Sequence, residues 1–163
     1  MWEILPDLFL GDRGDACDRD RLQRRGITHI VNCSKELPCY FEGDFKYLWL
    51  RMEDPDKRFG EKIPAFCEFI EAGRGQGKVI VHCTGGVSRS PAVILAYLCH
   101  LEGSVKSAVD RLSRAVLTGI DEDFLYPLAR FHGGELSAEE IKAFQQKLLG
   151  RVDPNAAEDR PRE

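Results

Sequence analysis

Apolar residues in the first hundred positions come in short runs that predict strands alternating with helices. Residues 3–10 alternate loosely between apolar and polar types, which predicts one or two strands interrupted at Pro6. Residues 28–33 are largely β-branched and apolar, which predicts a buried strand, and residues 78–82 form a short continuous apolar run, as central parallel strands do. Residues 45–52 predict a further strand. Strands of this kind belong in the centre of a sheet.

Helical periodicity appears between and after these runs. Residues 15–25 have helical character with Leu22 facing inward, and a stripe with spacings of three and four residues begins at Ile63 and ends in the glycines at 73–77. Further helices are predicted over 90–101, 104–117, 121–131 and 138–149, the last behind a capping box formed by Ser137 and Glu140. Strands alternating with helices predict an α/β fold in which helices cover a mostly parallel sheet.

The chain has the length and composition of one globular domain. Its 163 residues carry a net charge of −4, which argues against nucleic acid or an anionic membrane as the main partner. We expect a domain over residues 1–150 and a disordered tail over 151–163. Six cysteines lie in a chain that shows no secretory signal and no apolar run long enough to span a bilayer, so we expect a reduced, cytoplasmic protein.

The stretch "VHCTGGVSRS", residues 81–90, carries the most specific chemistry. It lies where a buried strand ends and a helix begins, and unpaired backbone N–H groups at a helix N-terminus attract anions. Gly85 and Gly86 let the backbone curl so that successive N–H groups converge on one oxyanion. Arg89 adds a planar fork that grips two phosphate oxygens. Cys83 lies at the bottom of this loop, where the same field favours a nucleophilic thiolate.

This stretch resembles the signature of cysteine-dependent protein tyrosine phosphatases: His-Cys, five residues, Arg, then Ser or Thr. The form found here is similar to that of the dual-specificity phosphatase family. The resemblance extends over about residues 2–132 and includes "ILPDLFLGD" (4–12), "LQRRGITHIVNCS" (22–34) and "FKYLWLRMEDPDKRF" (45–59). It implies a central sheet of about five strands flanked by helices. The helix at 138–149 lies beyond the usual family domain.

The resemblance also implies roles for individual residues. Cys83 would be the nucleophile, Arg89 the phosphate clamp, and Ser90 a hydrogen-bond donor to the departing sulfur. His82 would brace the loop and tune the thiolate. The phosphate-binding backbone would come from Thr84, Gly85, Gly86, Val87 and Ser88.

A general acid is needed as well, because the leaving oxygen of a phosphate ester must acquire a proton. Aligning the approach "YLWL" (47–50) with the family pattern places Asp54 at the acid position, with Asp56 as the second choice. The paired aspartates at 54/56 and 121/123 have no histidines at ligand spacing, so we expect neither a metal ion nor another cofactor.

Together these features predict a phosphatase that acts on phosphorylated protein side chains, on phosphotyrosine and possibly phosphoserine or phosphothreonine. Because residues 84–88 are uncharged, they offer no counter-charge to substrates with several phosphates. Four alternatives stay open: a phosphoinositide phosphatase, an RNA 5′-phosphatase, a non-catalytic module that reads phosphate, and a sulfurtransferase. A phosphorylated protein is the expected partner, with no nucleic acid or membrane, and the sequence leaves the oligomeric state open.

Overall fold

The computed structural model describes residues 1–150 and contains one five-stranded sheet. Its strands are β1 (Trp2–Leu5), β2 (Leu8–Gly11), β3 (Ile27–Ser34), β4 (Lys46–Met52) and β5 (Lys78–His82). They lie side by side in the order β1-β2-β5-β3-β4. Only β1 runs antiparallel to its neighbour, whereas the pairs β2–β5, β5–β3 and β3–β4 are parallel. The predicted fold class, a mostly parallel sheet of about five strands, is confirmed.

Seven helices accompany this sheet within the described residues. They are α1 (Arg13–Ala16), α2 (Arg19–Arg24), α3 (Phe59–Gln76), α4 (Arg89–Glu102), α5 (Val105–Ala115), α6 (Glu122–Phe131) and α7 (Ala138–Leu148). The central strand β5 leads through residues 83–88 into α4, whose side chains from Ser90 to Cys99 are all buried. The junction that carries the chemistry is therefore anchored on both sides in the core.

The strands divide their side chains between two apolar clusters, as the two-residue period of a strand requires. Leu8, Val31 and Val81 face the larger cluster, which includes α3 and α4. Phe9, Ile30 and Ile80 point to the opposite face and pack with Leu22 of α2 in the smaller cluster. Both faces of the inner strands are thus covered, which explains the uninterrupted apolar run from Val79 to Val81 in the central strand β5.

Two predicted helices differ from the observed ones. The single helix expected over 15–25 is two short helices, because Asp12 caps α1 and Asp18 starts a new cap for α2. The helix that contains Ile63 begins earlier than its apolar stripe predicts, at Phe59, and ends at Gln76, within the predicted glycine segment 73–77. Gly73, near the end of this helix, is a point of close packing against the sheet. The expected tail at 151–163 lies outside the described residues.

Three further observations concern the residues described. All six cysteines are free thiols. No helix among residues 1–150 is long and apolar enough to cross a membrane. The same part of the chain holds no group of three or more His, Cys, Asp and Glu side chains arranged to bind a metal ion.

Candidate active site

The loop between β5 and α4 is a tight turn, and it contains the residues that the sequence predicts to bind an anion. Gly86 has a φ of +69°, a left-handed conformation that favours glycine. A Cβ atom at Gly86 would also lie 3.1 Å from the carbonyl oxygen of Gly11. Glycine is therefore needed at this position for both its backbone conformation and its close approach to the end of β2.

The sulfur of Cys83 lies at the centre of this turn. Its side chain is 3% exposed and accepts hydrogen bonds from the backbone N–H of Gly86, at 3.2 Å, and from the buried Ser90 hydroxyl, at 3.1 Å. The structure therefore brings together Cys83, Gly86 and Ser90 as the sequence predicted.

Arg89 begins α4 and is held by a carboxylate that the sequence analysis did not identify. Its guanidinium donates to both oxygens of Glu36, with one N–O distance of 2.8 Å, and to the carbonyl oxygen of Met52 at 3.1 Å. The hydroxyl of Thr84 also donates to Glu36. The hydrogen bond from Arg89 lowers the pKa of Glu36 to about 2, so Glu36 is ionised at neutral pH. These contacts fix the direction of the arginine fork.

The two aspartates considered for the general acid occupy different environments. Asp54 is exposed and accepts a hydrogen bond from the Ser88 hydroxyl at 2.9 Å, which places its carboxylate beside the loop. Asp56 is buried and accepts from the ammonium group of Lys62, at 2.6 Å, and from two backbone N–H groups. Burial disfavours the ionised form of Asp56, but these bonds outweigh it and lower its pKa. The Asp56 carboxylate therefore stabilises the turn at residues 53–58.

His82 precedes the cysteine and is 1% exposed. Burial lowers its pKa to about 4, against the opposing effect of a hydrogen bond to the Cys83 backbone. Its Nδ1 atom has no hydrogen-bond partner among the residues described. A neutral imidazole is therefore packed directly beneath the loop.

The remaining loop residues surround the turn. Thr84, Gly85 and Val87 are exposed, and Ser88 is half-buried. The carbonyl oxygen of Val87 accepts a hydrogen bond from the N–H of Gly119 at 2.9 Å, which ties the loop to the segment before α6. All the residues predicted for the site thus lie on this loop or face it, except Asp56.

Comparison with known proteins assigns the family. The family model "Dual specificity phosphatase, catalytic domain" matches residues 8–116. Human protein phosphatase Slingshot homolog 3 is 33% identical over 157 residues, which cover 93% of this chain and 23% of the relative. Human dual specificity protein phosphatase 4 is 42% identical over 102 residues, 59% of this chain and 25% of the relative. The chain therefore belongs to the dual specificity phosphatase catalytic-domain family, and it spans about a quarter of the length of these curated relatives.

Solved structures agree with this assignment. The crystal structure of human DUSP28 matches with a TM-score of 0.73 and 26% identity, covering 82% of this chain and 96% of that one. The human tyrosine phosphatase-like serine/threonine/tyrosine-interacting protein matches with a TM-score of 0.73 and 29% identity, covering 82% of this chain and 95% of that one. The fold predicted from the sequence is the fold of these proteins.

Proposed function

We propose that this protein hydrolyses phosphate monoesters on protein side chains through a phosphocysteine intermediate, and that residues 1–150 form its catalytic domain. One observation carries the proposal. The Cys83 sulfur faces hydrogen-bond donors at the start of a buried helix, and the Arg89 fork is fixed beside it. The arrangement can bind a tetrahedral oxyanion with a nucleophile directly beneath the phosphorus.

In the first step the Cys83 thiolate attacks phosphorus. A sulfur–phosphorus bond forms while the phosphorus–oxygen bond to the substrate breaks, and the carboxylic acid of Asp54 gives its proton to the departing oxygen. Arg89 and the backbone N–H groups of the loop stabilise the charge on the transferred phosphoryl group.

In the second step a water molecule attacks the phosphocysteine. The Asp54 carboxylate takes a proton from that water, the sulfur–phosphorus bond breaks, and inorganic phosphate leaves. The Ser90 hydroxyl, 3.1 Å from the sulfur, donates a hydrogen bond to the thiolate as it forms. The cycle returns both Cys83 and Asp54 to their starting protonation states.

The proposed substrate class is phosphorylated protein, with phosphotyrosine accepted and phosphothreonine or phosphoserine as further candidates. Residues 84–88 carry no charged side chain, so one phosphate is matched by Arg89 and the backbone without surplus positive charge. The relatives named above as protein phosphatases support the same class. Six free thiols are compatible with a reducing compartment, and we place the protein in the cytoplasm.

A non-catalytic phosphate reader is the second candidate, because one of the similar structures is that of the human tyrosine phosphatase-like serine/threonine/tyrosine-interacting protein, whose name describes an interaction. Turnover of an aryl phosphate separates the two functions. We expect hydrolysis that persists in the presence of a metal chelator and is abolished by Cys83→Ser, whereas binding of a phosphate analogue is retained. Full turnover by Cys83→Ser, or loss of the native activity with chelator, would exclude the proposed mechanism.

A further inference from the structure

An open cleft of about 580 Å³ begins at the candidate active site and runs along α7. Its lining includes Asp54 and Ser88 beside the loop, and Lys142 and Gln146 of α7. Its volume lies in the range of ligand-binding pockets and far exceeds that of one phosphate group. When a phosphate group binds at Cys83, the part of the substrate that carries the phosphate therefore has a preformed space next to the loop.

The cleft is a fixed part of the fold because α7 is joined to the phosphate loop through residues 118–120. The N–H of Gly119 donates to the Val87 carbonyl, and the N–H of Thr118 donates to the Leu148 carbonyl, both at 2.9 Å. The Gln145 side chain adds a 3.1 Å hydrogen bond to the Ile120 carbonyl. The wall formed by α7 thus keeps a defined position relative to the loop.

The charges of the lining favour a ligand with few negative charges. Asp54 and Asp121 contribute carboxylates, and Lys142 is the cation among the lining residues. The Asp121 carboxylate already caps α6 by accepting from the N–H of Asp123 at 2.8 Å. A substrate with several phosphates would meet two carboxylates and a single ammonium group, which is an unfavourable balance.

Lys142 itself is exposed and unpaired within residues 1–150. Lys147, further along the same helix, forms an ion pair with Asp110, whereas no carboxylate in the described part of the chain lies within salt-bridge distance of Lys142. An unpaired ammonium group at the mouth of a cleft selects for a single carboxylate on a ligand.

We propose that this cleft binds the peptide segment flanking the phosphorylated residue of a protein substrate, and that Lys142 selects an acidic side chain in that segment. The inference rests on the proposed phosphatase function and adds a specificity determinant on α7. Exposed apolar side chains of Val87 and Leu149 extend the surface, since both lie within 4 Å of the position that a Cβ at Gly119 would take.

The test compares Lys142→Glu with Lys106→Glu, which makes the same charge change on an exposed residue outside the cleft. Substrates are an aryl phosphate and phosphopeptides with one Asp or one Lys at successive flanking positions. For Lys142→Glu we expect kcat/KM on the best Asp peptide to fall about fivefold or more, mainly through KM, and the matching Lys peptide to improve. Turnover of the aryl phosphate should stay unchanged, and Lys106→Glu should match the native protein throughout.

A second variant, Gln146→Trp, fills the cleft without changing its charge. It should raise KM for every phosphopeptide and leave aryl phosphate turnover intact. Peptide kinetics that neither variant alters would overturn the inference, as would a loss confined to an inositol phosphate substrate. Failure of the native protein to hydrolyse the aryl phosphate would instead reject the proposed function, so the two failures are distinguishable.

Discussion

Two aspartates separated by one residue show how the environment of a side chain decides its role. Asp54 is exposed beside Ser88, and Asp56 is buried against Lys62. Of the two, Asp54 lies beside the loop, where we propose that it exchanges a proton with the substrate. Alignment with a family pattern ranked Asp54 first, and the hydrogen bonds of the two side chains add a physical reason for that preference.

Substituting each aspartate with asparagine should therefore produce different defects. Asp54→Asn should lower kcat by about 10²–10⁴, with a larger loss for alkyl than for aryl phosphates because the poorer leaving group depends more on the acid. Asp56→Asn should mainly lower the free energy of unfolding, since the bond to Lys62 is weakened inside a buried turn. Rates on a leaving-group series and urea unfolding of both variants test this. A leaving-group effect confined to Asp56→Asn would reverse the assignment.

Glu36 is the site residue that sequence analysis missed. It lies 53 positions from Arg89, and no spacing or motif connects the two. The pairing arises only because β3 and β5 are neighbours in the sheet and place both residues at the same edge. A contact of this kind follows from topology, which local patterns do not contain.

We expect Glu36 to be a positioning residue for the arginine fork. Glu36→Ala should raise KM for an aryl phosphate and weaken competitive inhibition by inorganic phosphate about tenfold, because Arg89 loses its fixed orientation. Glu36→Gln keeps an acceptor for Arg89 and should recover part of that loss. Steady-state kinetics and phosphate inhibition constants provide the measurement. Tighter phosphate binding by Glu36→Ala would show instead that Glu36 competes with the substrate.

At the scale of elements, the packing of α3 on the sheet depends on one glycine. A Cβ at Gly73 would lie 2.6 Å from Val79 Cγ2 and 3.0 Å from His29 Cγ, whereas a Cβ at Gly75 would meet nothing within 4 Å. Alanine normally stabilises a helix relative to glycine by roughly 0.5–1 kcal/mol. Gly75→Ala should therefore stabilise the protein, and Gly73→Ala should destabilise it. Equal effects in thermal unfolding would contradict the close helix–sheet contact.

The same helix shows what the sequence could and could not predict. The stripe beginning at Ile63 established α3, and the apolar run 78–82 gave β5 its observed bounds. The glycines at 73–77 marked the end of α3 at Gln76, but the sequence alone did not show that Gly73 packs against Val79 and His29, a tertiary contact that requires the smallest residue. The start of α2 was missed because the Asp18 cap divides what reads as one helical segment.

At the scale of the whole molecule, buried His82 makes stability depend on pH. Its pKa is about 4 in the folded protein against 6.5 ordinarily, so below the ordinary value the unfolded chain binds a proton that the folded protein excludes. Stability should fall as the pH decreases between these values, by up to about 3 kcal/mol from this residue. The free energy of urea unfolding, measured for the native protein and for His82→Gln across this pH range, isolates the contribution of His82. Parallel pH profiles would contradict a neutral, buried His82.

The proposed mechanism requires one covalent species, a phosphoryl group on the sulfur of Cys83. Ser90→Ala removes the 3.1 Å hydrogen bond to that sulfur, so the second step should slow more than the first and the intermediate should accumulate. Mass spectrometry of Ser90→Ala quenched during turnover of an aryl phosphate is the most direct measurement. We expect one phosphoryl group on the peptide that contains Cys83. The double variant that combines Ser90→Ala with Cys83→Ser should carry none. An unmodified Cys83 peptide, recovered while turnover proceeds and an initial burst of product is released, would contradict the proposed mechanism.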